Sequence, residues 1–231
     1  MPSRLLAVTF AAHDPALLGR FWAALLGRAA VAGDGVLLPG DETQVGLRFV
    51  PGQVRRNGLN RLHLHLTSAS PGDQERTVAT ALGLGANHLD VGQRPEEGHV
   101  VLADPEGNEL CVIEHGNAYL AGCGLLGEVA CEGSREVGLF WSAALGWPLV
   151  WDRDGETAIQ SPRGGTKVAW GGPPVTATET GQRFDLVADD VAAEAERLVS
   201  LGATRLASGG DGEVVLADPD GFAFTVGAAG T

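Results

Sequence analysis

The sequence has little positive charge. Lysine and arginine number 16 against 29 aspartate and glutamate residues, so the formal net charge of the 231 residues is −13. This balance excludes a nonspecific nucleic-acid binder, which needs a cationic face, and it disfavours binding to an anionic membrane surface. No apolar run approaches the roughly 18 residues of a membrane span, and the N-terminal stretch reaches His13 and Asp14 too early for a signal peptide. The basic pair Arg55-Arg56 is expected in a surface loop.

Cysteine is also scarce. Cys111, Cys123 and Cys131 form neither a disulfide framework nor a CxxC metal pair. We therefore expect free thiols and a cytoplasmic protein. Hydrophobic residues make up 44% of the chain and charged residues 19%, which predicts a globular protein rather than a disordered one. The length favours two domains of ordinary size.

The second half of the chain repeats the first. Four pairs of segments carry the repeat in the same order: Asp14–Gly27 with Gly133–Gly146, 63–70 with 183–190, 84–86 with 201–203, and 100–110 with 214–224. The first pair aligns without a gap, and each of its members contains a Phe-Trp pair. This pattern predicts a tandem duplication. The first domain covers residues 1–116, and the second covers residues 123–231 after a linker rich in small and turn-forming residues.

Each half contains two units with the same order of elements. In the first unit, residues 4–11 alternate like a strand, and Asp14 caps a helix that ends at Gly27. Short strands follow, divided by turn-forming glycines. The second unit begins with a strand at residues 62–67 and ends with two strands around a DPEGN turn. The chain is therefore predicted to be α+β, with four βαβββ units.

Paired βαβββ units with a DPxGN turn before the last strand resemble the vicinal oxygen chelate superfamily of glyoxalases, bleomycin-resistance proteins and extradiol dioxygenases. The segments NRLHLHL (60–66), LGLGANHL (82–89) and LADPEGNELC (102–111) are most similar to its glyoxalase-like subgroup. The resemblance spans the whole chain. It implies two tandem domains, each with two βαβββ units that form a curved mixed sheet around a central cup. It implies no single function, because the fold carries isomerases, lyases, dioxygenases, transferases and drug-binding proteins.

The resemblance also implies positions for metal ligands. In metal-using members, side chains from the first, fifth and last strands of a domain point into the cup. The matching positions are Ala7, His63 and Cys111 in the first domain, and Leu126, Arg183 and Thr225 in the second. The first set keeps one usual ligand and adds a thiol, and the second set keeps none, so we expect the second domain to be metal-free. The repeat is compatible with cups made within each domain and with units exchanged between domains.

Strand alternation assigns polar side chains to the cups independently of the resemblance. The candidates for ligand binding are Thr9, His63, His65, Glu109 and Cys111 in the first domain, and Glu128, Trp151, Trp170, Arg183 and Asp185 in the second. A half-buried Arg183 needs a partner, for which Asp185 and Glu128 are the candidates. Trp147, Leu149 and Trp151 are predicted to share one strand face, which indicates an aromatic-walled cavity, an interface or ordinary core.

His63 and His65 are the candidates for chemistry. They can share a divalent metal such as zinc, iron, nickel or manganese, with Cys111 and Glu109 as further donors. Without a metal they can serve as a general base or position a ligand.

Three functions follow from these alternatives. The first is a metal-independent binder of an aromatic or amphipathic small molecule, of the sequestration or resistance type. The second is a divalent-metal lyase, isomerase or dioxygenase that uses the cup of the first domain. The third is a scaffold that binds a partner. The incomplete ligand sets favour the first function, with no cofactor, in a monomer or homodimer.

Overall fold

The computed structural model describes residues 3–52, 59–94, 96–171, 181–208 and 212–229, so Arg55 and Arg56 lie outside the described residues.

Four units follow one another along the chain. Unit 1 contains β1 (Arg4–Ala12), α1 (Pro15–Leu26), β2 (Val31–Gly33), β3 (Gly35–Leu38) and β4 (Leu47–Pro51). Unit 2 contains β5 (Leu62–Leu66), α2 (Pro71–Gly83), β6 (Asn87–His88), β7 (Val100–Ala103) and β8 (Glu109–Val112). Unit 3 contains β9 (Leu126–Glu132), α3 (Arg135–Leu145), β10 (Leu149–Arg153), β11 (Glu156–Gln160) and β12 (Lys167–Gly171). Unit 4 contains β13 (Gln182–Ala188), α4 (Val191–Ser200), β14 (Thr204–Ser208), β15 (Val214–Ala217) and β16 (Ala223–Ala228).

The strands form two eight-stranded sheets, and each sheet combines units from different halves of the chain. Sheet A has the order β14-β15-β16-β13-β1-β4-β3-β2, so it joins units 1 and 4. Sheet B has the order β10-β11-β12-β9-β5-β8-β7-β6, so it joins units 2 and 3. The predicted α+β class, with two βαβββ units in each mixed sheet, is confirmed. The expected ligand set of Ala7, His63 and Cys111 is nevertheless divided between the sheets, because the units are exchanged between the halves.

The halves meet through antiparallel pairs of first strands, β1 with β13 and β5 with β9. In β9 the register skips one residue, because Leu126 lies opposite Leu66 and Glu128 lies opposite His65. Such a bulge turns the side chains on its two sides to opposite faces of the sheet. Leu126 therefore belongs to the core on the helix side. The prediction that Leu126 lies in a cup was therefore wrong, and Glu128 occupies the cup position instead.

The helices form where apolar side chains recur at helical spacing between a polar cap and a glycine. The Asp14 side chain accepts the N–H of Leu17 at the start of α1, and Gly27 ends the helix with a left-handed φ of 64°. The buried face of α1, which includes Phe21 and Trp22, packs against β3 and β4. Together with the other helices it covers one continuous apolar core. Within the described residues, none of the helices combines the length and the apolarity that a membrane span requires.

The two DPxG turns tie together the units within each half. Nε1 of Trp22 donates a hydrogen bond to Asp104 at 3.1 Å, and Nε1 of Trp141 donates one to Asp218 at 3.1 Å. Glu106 adds a second link, because its carboxylate accepts two backbone N–H groups just before α1. The turns therefore join neighbouring units along the chain, whereas the sheets join one half to the other.

Replacing Trp22 by Phe should destabilise the fold, because the ring is kept while the buried carboxylate of Asp104 loses a donor. Burial raises the pKa of Asp104, and hydrogen bonds from Asn108 and Trp22 oppose that rise. We expect the free energy of unfolding to fall by about 1–3 kcal/mol in urea titrations at neutral pH. Trp151→Phe is the control, since the Trp151 indole donates to no described residue. Equal losses in the two variants would contradict this role of Trp22.

Candidate functional site

Four side chains form a row across the face of sheet B that is turned away from the helices, here called the cup of sheet B. Cys111, His65, Glu128 and Lys167 are successive Cα partners on β8, β5, β9 and β12. Paired residues on neighbouring strands project to the same face. The apolar residues that alternate with them, such as Leu64 and Val129, enter the core under the helices. Each half of the chain thus supplies two members of the row.

Three potential metal ligands converge beside this row. The rings of His63 and His65 have centroids 4.7 Å apart, and one ligand atom each from His63, His65 and Cys111 lies within 4.8 Å of the others. Two imidazoles and a thiol are donors that zinc and related ions prefer, so the donor set fits a divalent metal. Glu109, predicted as a further donor, is not part of this cluster, and its Oε1 accepts the N–H of Asn60 at 3.2 Å.

Glu128 holds His65 in place. Oε2 of Glu128 lies 2.6 Å from Nδ1 of His65, and Oε1 accepts the hydroxyl of Tyr119 at 2.8 Å. The His65 and Glu128 side chains are 17% and 8% exposed, so the pair is largely shielded from water. His65 also shares a hydrogen bond with Cys111. A carboxylate on one ring nitrogen orients the other nitrogen, which is the usual support of a metal-binding histidine.

The two histidines have opposite charge states in the absence of metal. Burial, together with the charge of His65, lowers the pKa of His63 to about 4. Burial also disfavours charge on His65, but hydrogen bonds with Cys111 and Glu128 outweigh it and raise the pKa to about 9. Burial works against charge on Glu128 too, yet its hydrogen bonds with His65 and Tyr119 keep its pKa below the ordinary value. At neutral pH, His63 is therefore a neutral imidazole, and His65 and Glu128 form a buried ion pair.

An ammonium group and two aromatic rings complete the cup. Nζ of Lys167 lies 3.9 Å from the centroid of the Tyr119 ring and also donates to the carbonyl oxygen of Tyr119. Tyr119 meets Trp151 edge to face, with ring centroids 5.6 Å apart. Burial and the charge of Glu128 raise the pKa of Tyr119, so its hydroxyl stays protonated. The cup therefore combines three potential metal ligands, a lysine side chain and an aromatic wall.

Sequence reasoning missed Tyr119 and Lys167. Tyr119 lies in the predicted linker between the two halves, and Lys167 begins β12. They are the only tyrosine and the only lysine of the chain. Because each residue type occurs once, the composition alone could have marked both residues as candidates for a site.

The two candidate tryptophans have different surroundings. Trp170 lies in the helix-side core, nearly parallel to Trp141 with 6.4 Å between centroids, so its assignment to a ligand cavity was wrong. The predicted common face of Trp147, Leu149 and Trp151 was also wrong. The register of β10 shifts between Leu149 and Trp151, so Leu149 packs on the helix-side core together with Trp147. Trp151 contacts Tyr119 in the cup instead.

The remaining candidates meet on the corresponding face of sheet A, here called the cup of sheet A. Nε of Arg183 donates to Asp185 at 2.8 Å. The hydroxyls of Thr9 and Thr225 donate to the same carboxylate at 2.5 and 3.0 Å. Asp185 is thus the observed partner of Arg183, and Glu128, the other candidate, lies in sheet B.

Comparison with known proteins places the chain in a family. A family model for the glyoxalase-like domain matches residues 7–113 and 128–227. The chain belongs to the glyoxalase-like domain family, as the sequence predicts. The solved structure of glyoxalase I from Zea mays is similar, with a TM-score of 0.69 and 13% sequence identity over 97% of this chain and 92% of that chain. A candidate dioxygenase from Bacillus subtilis has a TM-score of 0.60 and 14% identity over 97% of this chain and 84% of that chain. At these identities the likeness concerns the fold alone, and no curated protein matches the chain significantly.

The charge states of the histidines can be tested by NMR titration of the imidazole rings in metal-free protein. At pH 6.5 we expect His63 to be neutral and His65 to be charged, because their pKa values are about 4 and about 9. Glu128→Gln should lower the pKa of His65 by removing the carboxylate. Glu136→Gln, an exposed change on α3, should leave it unchanged.

The same pair should make stability depend on pH. The pKa of His65 in the folded protein, about 9, is above its ordinary value of 6.5. The contribution of His65 to the free energy of unfolding is therefore complete below pH 6.5 and is lost as the pH rises through 9. Glu128→Gln should flatten this decline in urea titrations. An equal decline in the variant would show that His65 is not the group responsible.

Proposed function

We propose that the protein binds a small amphipathic organic molecule in the cup of sheet B, beside a divalent metal ion held by His63, His65 and Cys111. The observation that carries this proposal is the convergence of the three donors within 4.8 Å. The contact between Glu128 and His65 supports it, because it orients one of the donors. Three protein donors are the number that catalytic zinc sites use, and a metal there would act as a Lewis acid on an oxygen of the bound molecule.

The residues around the donors suit a molecule with a polar end and a flat apolar body. Tyr119 and Trp151 provide an aromatic wall on one side. Val101 and Ile113 pack with Cys111 in a small apolar cluster, against which Tyr119 also packs. Aromatic and aliphatic walls with a few polar groups are typical of small-molecule sites. In this arrangement the wall binds the body of the molecule, and the donor cluster binds its polar end.

Lys167 has a separate role in the proposal. Its amino group lies in the cup, next to Glu128 in the row. The contacts with Tyr119 restrict the otherwise flexible lysine chain. We infer that Lys167 attracts an anionic oxygen of the bound molecule toward the donor cluster.

A metal-independent binding protein is the second candidate function, and the charge distribution favours it. The imidazolium of His65 and the ammonium of Lys167 flank the carboxylate of Glu128 on its two neighbouring strands. The buried carboxylate is therefore compensated without a metal ion. In this function, His65 and Lys167 would bind the polar end of the molecule directly.

Elemental analysis by mass spectrometry distinguishes the two functions. After reconstitution with zinc, we expect about one metal ion per chain. His63→Ala and Cys111→Ser should lose most of it because each removes a donor. His88→Ala, which removes an exposed histidine from β6, is the matched control and should keep it. Glu128→Gln should weaken zinc binding by about 10–100-fold in competition with a chelating dye, because it removes the support of His65.

Cobalt provides a readout that does not depend on activity. Reconstitution with cobalt should produce an absorption band from thiolate-to-metal charge transfer, and Cys111→Ser should abolish it. Zinc that is retained in His63→Ala would contradict the proposed donor set. Protein that takes up neither metal would favour the metal-independent function.

A further inference from the structure

Two arginines share one buried aspartate in the cup of sheet A. Nη1 of Arg48 donates to Oδ2 of Asp185 at 3.2 Å, and Nε of Arg183 donates to Oδ1 at 2.8 Å. The Asp185 side chain is 4% exposed, whereas those of Arg48 and Arg183 are 24% and 30% exposed. Within the described residues, no other carboxylate lies at ion-pair distance from either guanidinium. Among the described residues, the two guanidinium groups and Asp185 therefore carry one net positive charge, in a chain with a net charge of −13.

The two arginines flank one threonine. Thr9 is the Cα partner of Arg183 on β13 and of Arg48 on β4. Neighbouring strands lie about 4.8 Å apart, so the two arginine backbones are about 10 Å apart with Thr9 between them. Thr9 is fully buried, and its hydroxyl donates to Asp185. Above Thr9, the cup is therefore bordered by a guanidinium on each side.

The repeat makes this cup the counterpart of the cup of sheet B. Matching 63–70 with 183–190 aligns His65 with Asp185, and matching the strands after the DPxG turns aligns Cys111 with Thr225. Two of the three potential donor positions of sheet B thus hold a carboxylate and a hydroxyl in sheet A, and the third, His63, aligns with Arg183. The carboxylate of Asp185 accepts a hydrogen bond from Arg183 and so orients it, and the hydroxyl of Thr225 donates a hydrogen bond to Asp185. The aligned positions of sheet A therefore hold one of the two arginines together with the groups that support it.

We propose that the cup of sheet A is a second ligand site, which binds a small organic carboxylate between Arg48 and Arg183. Each guanidinium has five N–H donors in a planar fork that matches a carboxylate. The contacts with Asp185 engage one nitrogen of each guanidinium, so further donors remain for a ligand. The ligand's negative charge compensates the excess charge that Asp185 leaves. This site does not depend on a metal in sheet B.

Calorimetric titration with sodium acetate and sodium benzoate tests the proposal, with neutral benzamide as the isostere and chloride keeping the ionic strength constant. We expect saturable binding of a carboxylate and none of benzamide. Arg48→Gln and Arg183→Gln should each weaken binding about tenfold or more, because each removes charge-assisted hydrogen bonds. Arg135→Gln is the matched control, since Arg135 forms an exposed ion pair with Asp152, and it should bind like the wild type.

Lysine variants keep the test decisive if a glutamine variant fails to fold. Arg48→Lys and Arg183→Lys retain the charge beside Asp185 but lose the planar fork. They should fold, as judged by circular dichroism, and still bind carboxylates more weakly than the wild type. Binding of neither carboxylate, unchanged binding in all arginine variants, or saturable binding of inorganic phosphate alone would overturn the proposal.

His63→Ala separates this site from the metal site of sheet B. It should bind the carboxylate like the wild type, because His63 lies in the other sheet. Carboxylate binding that is lost in His63→Ala and retained in Arg183→Gln would place the anion in sheet B and overturn the proposal. A failure to bind zinc would leave the expected carboxylate result unchanged.

Discussion

The antiparallel pairing of β5 with β9 is the contact on which the candidate site depends. It places His65 from the first half opposite Glu128 from the second. The bulge between Leu126 and Glu128 then turns the carboxylate, rather than the leucine, into the cup. Neither half of the chain contains the complete row, because Cys111 belongs to the first half and Lys167 to the second. The complete row therefore exists only when the halves fold together, although the three potential metal donors all come from unit 2. The DPxG turns assist by linking neighbouring units within each half through hydrogen bonds.

The buried pair of His65 and Glu128 is better explained by a site than by stability. Removing two charges from water costs about as much as their attraction returns, so such pairs seldom add net stability. What the pair provides is orientation, since Glu128 fixes the ring of His65 and Tyr119 in turn fixes Glu128. In sheet A, Asp185 provides orientation for Arg48 and Arg183 in a similar way. One duplicated architecture thus supports two cups with different side chains, and we propose that one binds a metal and the other an anion.

The fold could largely be predicted from the sequence, because its signals are local and occur twice. The Phe-Trp helices and the DPxG turns each mark a unit without reference to distant residues. The pairing of the units could not be predicted, because similar strands in a duplicated chain allow more than one long-range partner. The faces of Leu126 and Leu149 were misassigned for another reason. A bulge reverses strand alternation. Gly127 within β9 is a residue that often marks a bulge, whereas Val150 in β10 gives no such signal.

Disulfide trapping across β5 and β9 tests the exchanged units most directly. Leu62 and Cys131 are Cα partners in this pair, and direct partners lie within the Cα separation that a disulfide allows. The test variant would combine Leu62→Cys with a protease site inserted after Gly116. The control would be the same variant with Cys131→Ser, which removes the partner thiol. After oxidation and cleavage, both halves should remain linked on a nonreducing denaturing gel and separate on reduction. Separate halves from oxidised, folded protein would contradict the account, because they would show that β5 and β9 do not pair.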